Sequence, residues 1–181
     1  MEKKTIEQLK AEFNRLGYQW SNFMIVGIRS KADVPDAFDD LIGLVENDSV
    51  TWFNATTNPG VAYLKKLLNP KGCAVLKPGQ YLNTWELALH QGKYMALCQR
   101  RPVTVYRDAD LDNKSEETAV TDTGLFGINI HHASTSIVSK IIGTWSAGCS
   151  VIADIIDFNY LITRCKASGL KQFTYTLLKE F

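Results

Sequence analysis

Short apolar runs closed by turn residues dominate this chain and restrict it to a fold built mostly from short strands. Phe23 to Ile28 (FMIVGI) reads as a buried strand. Leu41 to Val45 and Val50 to Ala55 flank Glu46-Asn47-Asp48 and read as a hairpin. Asn58-Pro59-Gly60 marks a turn, and Val61 to Leu68 makes two helical turns before Asn69-Pro70-Lys71-Gly72 stops them. From Cys73 to Tyr106, Gly and Pro punctuate several short strands, the last being Val103 to Tyr106. Asp108 to Thr123 is a polar loop, Leu125 to His132 a strand and Ser134 to Ile142 a short helix. Val151 to Ala167 has helical periodicity and stops before Gly169, and Phe173 to Leu178 is a closing strand. At the other end, Ile6, Leu9, Phe13 and Leu16 recur at helical spacing, which predicts an amphipathic helix within residues 1–20. No repeat, low-complexity tract or linker interrupts the chain. One α+β, mostly-β domain over residues 1–181 is therefore expected.

Charge and cysteine usage exclude several classes. Twenty Lys and Arg against nineteen Asp and Glu leave a net charge of +1, without the basic excess of a nucleic-acid binder. The opening MEKKTIEQLKAEFNRLGYQW lacks the apolar core of a secretory signal, and no run is long enough to span a membrane. Synthesis in the cytoplasm is the expectation. Cys73, Cys98, Cys149 and Cys165 are widely spaced with no CxxC pair, so they are read as free thiols.

The chemistry-bearing stretch lies within residues 124–181. Phe126 to Val151 reads FGINIHHASTSIVSKIIGTWSAGCSV. Histidines end a strand, and after a polar excursion Ser146-Ala147-Gly148-Cys149 is expected to lead into a helix. The thiolate is the competent nucleophile, and an imidazole or the amides of a helix N-terminus favour it. Gly148 lets the backbone turn sharply, so successive N–H groups can face a developing oxyanion. Strand alternation puts Phe126, Ile128, Ile130 and His132 on one face, and Gly127, Asn129 and His131 on the other. The apolar face belongs to the core, which assigns His131 to the cleft.

These residues resemble the L,D-transpeptidase (YkuD-like) catalytic family. Its members carry an Ile-His pair near a strand end, then Ser-His-Gly-Cys with a nucleophilic Cys. Here Ile130-His131 is separated from Ser146-Ala147-Gly148-Cys149 by fourteen residues, and a helix, Gly169 and a final strand follow in that family's order. The resemblance implies a mixed β-sandwich with a few short helices. It implies Cys149 as acyl-accepting nucleophile, His131 as base and the His132 carbonyl as orienter of its ring. The amides of Gly148 and Cys149 would be oxyanion donors, and the Ser146 hydroxyl would support the turn. The implied substrate is the peptidoglycan stem peptide, reached at the cell wall or in the periplasm after release or delivery, as from a phage or a delivered effector. No cofactor and no metal are implied.

Two positions depart from that pattern. Ala147 stands where the family has His, and Ser150-Val151-Ile152 follows Cys149 where the family commonly has Arg two residues on. The short segment between His131 and Cys149 offers no long lid, which favours water as second nucleophile and hence L,D-carboxypeptidase or endopeptidase action over cross-linking. The competing reading is a catalytically silent wall-binding or virion structural module. Other signals are weaker. Asp108-Ala-Asp110-Leu-Asp112-Asn113 begins like a calcium loop, but Ala119 stands where a bidentate Glu is needed. Cys149, His131 and His132 lack a fourth zinc ligand at usual spacing. His90-Gln-Gly-Lys-Tyr94 offers a polar aromatic to a peptide groove but is read first as an ordinary turn, and Trp145 alone among the tryptophans is near enough to wall the site.

Overall fold

Alternation along β1 (Phe23–Arg29) organises the whole molecule. In the computed structural model, which describes residues 1–181, Ile25 belongs to one buried cluster while Met24, Val26 and Ile28 belong to another. Neighbouring side chains of a strand point to opposite faces, so β1 is covered twice. Outside it lies α1 (Ile6–Leu16), which sets Ile6, Leu9 and Phe13 against Met24, Val26 and Ile28. The helix starts at Thr5, whose hydroxyl accepts from the Gln8 N–H while the Gln8 side chain accepts from the Thr5 N–H. That reciprocal pair satisfies two amides with no partner in the helix.

Inside β1 lies a closed barrel of eight strands. β1 pairs antiparallel with β2 (Asp40–Glu46), which turns into β3 (Ser49–Thr56). At its other edge it pairs in parallel with the C-terminal strand (Phe173–Lys179). The barrel continues from there through residues Gly79–His90, Tyr94–Gln99, Ile130–His132 and Ser150–Ile152 back to β3. In chain order, after α2 (Val61–Lys65) and β4 (Cys73–Leu76), these strands are β5, β6, β9, β10 and β11. β4 pairs with β7 (Val103–Asp108), and β7 with β8 (Thr121–Gly124), in a separate three-stranded sheet. Its Ala74, Leu76, Val103 and Val105 join the interior cluster. α3 (Ile155–Ala167) adds Phe158, Leu161, Ile162 and Cys165 to the same cluster. No helix is long and apolar enough to cross a membrane.

The mostly-β, α+β class is as expected, but the sandwich is not. Every strand of the main sheet has two partners, so it closes into a barrel, and the small three-stranded sheet packs its apolar residues into the same interior cluster. Four local expectations are also corrected. Residues 134–142 form no helix: the Ser134 hydroxyl accepts from the N–H groups of Ser136 and Ile137, a local bonding pattern that competes with helical bonds. The strand at 125–132 shrinks to Ile130–His132, since Gly127 has φ +72° and the Gln99 side chain takes the N–H groups of Phe126 and Ile128. Cys149 leads into β10 rather than a helix, and α3 begins only after Asp154, whose side chain accepts from Ile156. The region 73–106 holds one strand of 12 residues, β5, among its short ones.

Candidate active site

Parallel pairing of β9 and β10 places Val151 opposite His131 and Ile152 opposite His132. The Ser150 N–H donates to the Asn129 carbonyl at 3.0 Å. One residue earlier, the Asn129 N–H points at Cys149 Sγ at 3.4 Å, and the thiol lies 3.3 Å from the Gly127 carbonyl. Cys149 thus stands beside Asn129, whose side chain meets His90, the ring stacked on His131. No hydrogen bond joins Sγ to His131 in this resting arrangement.

The turn before Cys149 is held by Ser146, which is fully buried. Its hydroxyl donates to the Cys149 carbonyl at 2.8 Å and accepts the Gly148 N–H at 3.1 Å. Gly148 has φ +125°, and a Cβ there would collide with the Ala74 carbonyl, so glycine is required on both counts. The Gly148 N–H is therefore occupied by Ser146 and is not a free oxyanion donor, contrary to the expectation from the sequence. The Cys149 N–H has no partner within the protein. Behind the turn, Ser150 Oγ lies 3.1 Å from the Tyr175 hydroxyl.

All three histidines of the chain meet here. His131 Nδ1 lies 2.8 Å from the His132 carbonyl, an acceptor, so Nδ1 carries the proton and Nε2 presents a lone pair. His132 Nδ1 donates likewise to the Ala133 carbonyl at 2.8 Å, and its ring packs on Tyr94 and Phe158. The ring of His90 stacks on that of His131, with centroids 4.3 Å apart and planes 22° from parallel. His90 also lies 3.0 Å from the Asn129 side-chain amide. A cleft of about 440 Å³ opens over this group, lined by His90, Lys93, Tyr94, His131, Thr144 and Trp145 among others.

Burial sets the resting protonation. It pushes the Cys149 thiol up to about 11, against a smaller lowering by the Asn129 N–H. It pushes His131 down to about 4, against the opposing bond to the His132 carbonyl. Both groups are then neutral at pH 7. The thiolate-favouring helix terminus expected from the sequence is absent, because β10 intervenes. His131 and His132 are both buried, so the division into a cleft histidine and a core histidine holds only in part: both line the cleft.

Cys149, His131, His132, Ser146 and Gly148 thus gather around the β9–β10 pair. The sequence set His90 and Tyr94 aside as parts of an ordinary turn, whereas both line the cleft, and it put Asn129 on the His131 face without giving it a role. Asn129 lies in the motif stretch, and His90 and Tyr94 face each other across the β5–β6 hairpin. Their signal was scarcity: with three histidines in 181 residues, the third invites attention once two are assigned. The other thiols, Cys73, Cys98 and Cys165, are free and buried. The Nδ1 atoms of His131 and His132 both face carbonyls, which leaves Nε2 as the free ring nitrogen of each. Asp110, Asp112 and Glu116 come together on the exposed loop, where Asp110 and Asp112 accept from nearby backbone N–H groups as turn residues do. Compared with family models, curated proteins and solved structures, the chain matches none.

Proposed function

We propose that this chain is a cysteine-dependent acyl-transfer enzyme acting on an amide of the peptidoglycan stem peptide at the cell wall. One observation carries the reading: His131 is held with its proton on Nδ1, leaving an Nε2 lone pair two residues along the chain from Asn129, whose N–H contacts Cys149 Sγ. In the proposed reaction Nε2 takes the thiol proton as sulfur attacks the carbonyl carbon. The imidazolium then protonates the leaving amine, and a thioester on Cys149 remains. With both groups neutral at rest, proton transfer accompanies attack and no ion pair is formed beforehand. The L-centre to D-centre specificity rests on the resemblance of the Ile130-His131 and Ser146-Ala147-Gly148-Cys149 motifs alone.

Water is the proposed second nucleophile. The polar loop 108–123 contributes no residue to the cleft, whose outer wall is the short segment that includes Thr144 and Trp145. An acceptor amine would need a surface that excludes water from the thioester. Offering a tetrapeptide muropeptide with excess D-amino acid and weighing the products tests this. Tripeptide as the main product supports hydrolysis, whereas exchanged or cross-linked product shows a transferase. A second reading, a catalytically silent wall-binding or virion structural module, is favoured by the raised Cys149 thiol and its lack of a bond to His131. A fully inert muropeptide mixture supports that one.

A further inference from the structure

A tetrahedral intermediate needs at least two fixed donors for its oxyanion, and the turn before Cys149 supplies fewer than its glycine promises. Ser146 occupies the Gly148 N–H, and the Asn129 N–H is directed at Sγ. Of the other N–H groups at the turn, those of Ala147 and Cys149 have no protein partner. The cleft adds a side-chain donor to these.

Hydrogen-bond direction identifies it. The Gln99 N–H, a donor only, lies 2.9 Å from Asn129 Oδ1, which fixes the Asn129 amide with its oxygen toward Gln99. Asn129 Nδ2 therefore donates to His90 Nδ1 at 3.0 Å. A neutral ring whose Nδ1 accepts must carry its proton on Nε2. His90 Nε2 has no protein partner and is not sealed from solvent, and His90 lines the cleft. Two stacked imidazoles thus present opposite faces of the same chemistry: a lone pair on His131 Nε2 and a proton on His90 Nε2. We propose that His90 is a catalytic residue whose Nε2–H donates to the substrate carbonyl oxygen as it becomes an oxyanion.

This rests on the acyl-transfer reading and completes its proton and electron movements. As the S–C bond forms, the thiol proton passes to His131 Nε2 and the carbonyl π pair moves onto oxygen. That oxygen accepts from His90 Nε2–H and the Cys149 N–H. Collapse restores the carbonyl, breaks the C–N bond and returns the proton from His131 to the amine. His90 transfers no proton, and its ring stays stacked on the transient imidazolium.

The test uses an acyl donor that does not depend on the stem peptide. Wild type, His90→Phe and His90→Gln are mixed with 4-nitrophenyl acetate, and acylation is read as a nitrophenolate burst. Phe retains the stacked ring without the donor, and Gln retains an N–H without the ring. His90→Phe should slow acylation about a hundredfold, and His90→Gln should recover part of that. Alkylation of Cys149 by iodoacetamide, which passes through no oxyanion, should be unchanged in both. In the wild type, nitrogen shifts from ¹⁵N NMR should place the His90 proton on Nε2. Unslowed acylation in His90→Phe overturns the proposal, as does a proton found on His90 Nδ1. Loss of acylation and alkylation together overturns it in favour of a positioning role. An active ester burst with inert muropeptides refutes the peptidoglycan reading and leaves His90 standing. A wild-type chain that the ester does not acylate overturns both.

Discussion

The α1 side of the barrel and the β9–β10 end are both buried, but they are held by different means. Under α1, side chains pack by period alone: Ile6, Leu9 and Phe13 on the helix meet alternate residues of β1, with Phe13 edge-on to Trp20 at 5.2 Å. At the β9–β10 end, side chains take over backbone bonding. Gln99 holds Phe126 and Ile128, Ser146 holds Gly148 and Cys149, and Asn129 ties Gln99 to His90. Regular structure satisfies its own amides, whereas a strained turn must borrow partners. The borrowing leaves selected lone pairs and protons free for chemistry.

If this division is right, activity and stability should separate. Cys149→Ala should lower turnover a thousandfold or more with the thermal midpoint little changed, and His131→Ala should cost nearly as much because the two act as a unit. His132→Ala retains the carbonyl that receives His131 Nδ1 and should cost less in rate. Steady-state kinetics on the purified variants measures the order, and the reverse ranking of the two histidines would break the site assignment. Phe13→Ala should do the opposite. It opens a cavity in the α1 cluster and should destabilise the fold by about 3–5 kcal/mol in urea unfolding, with kcat unchanged.

The elements under α1 were legible in the sequence because each side chain there obeys one period. Ile6 to Leu16, the Leu41 to Ala55 hairpin and the final strand fall close to their expected bounds. The β9–β10 end was legible in its residues but not in its shape. Cys149, His131, His132, Ser146 and Gly148 could be singled out by type and spacing. That Ser134 would break a helix, or Gln99 replace a strand ladder, depends on partners distant in sequence, which no local pattern records. The barrel stayed hidden for the same reason, since closure depends on parallel pairing between β1 and β11, nearly the whole chain apart.

One buried base and one buried acid sharpen the comparison through pH. Burial lowers His131 from its ordinary 6.5 to about 4. Between those values the unfolded chain takes the proton first, so stability falls as pH drops, by about 3 kcal/mol in all. Asp40, held by the Thr57 hydroxyl and the N–H groups of Thr57 and Ser30, is raised by burial from 3.8 to about 6. Here the folded chain takes the proton first, so stability rises by a similar amount as pH drops from about 6 to 3.8. In the wild type the two contributions oppose each other between pH 6 and 4. Asp40→Asn should expose the fall due to His131, and His131→Gln the rise due to Asp40, in chemical unfolding at stepped pH. A wild-type slope as steep as that of Asp40→Asn would show that Asp40 does not offset His131.

The smallest effect belongs to the α1 side. Thr5→Ala removes the capping hydroxyl and should cost about 1 kcal/mol in urea unfolding, with no change in turnover.

The central claim is that Cys149 carries the acyl group. Its most direct test is to mix the protein with a tetrapeptide muropeptide, quench in acid, and map the covalent adduct by mass spectrometry of the digested chain. The account predicts an acyl-peptide adduct on the peptide containing Cys149, released by hydroxylamine and absent from Cys149→Ala. Cleaved muropeptide from a Cys149→Ala protein, or an adduct carried by Cys73, Cys98 or Cys165 instead, would contradict it.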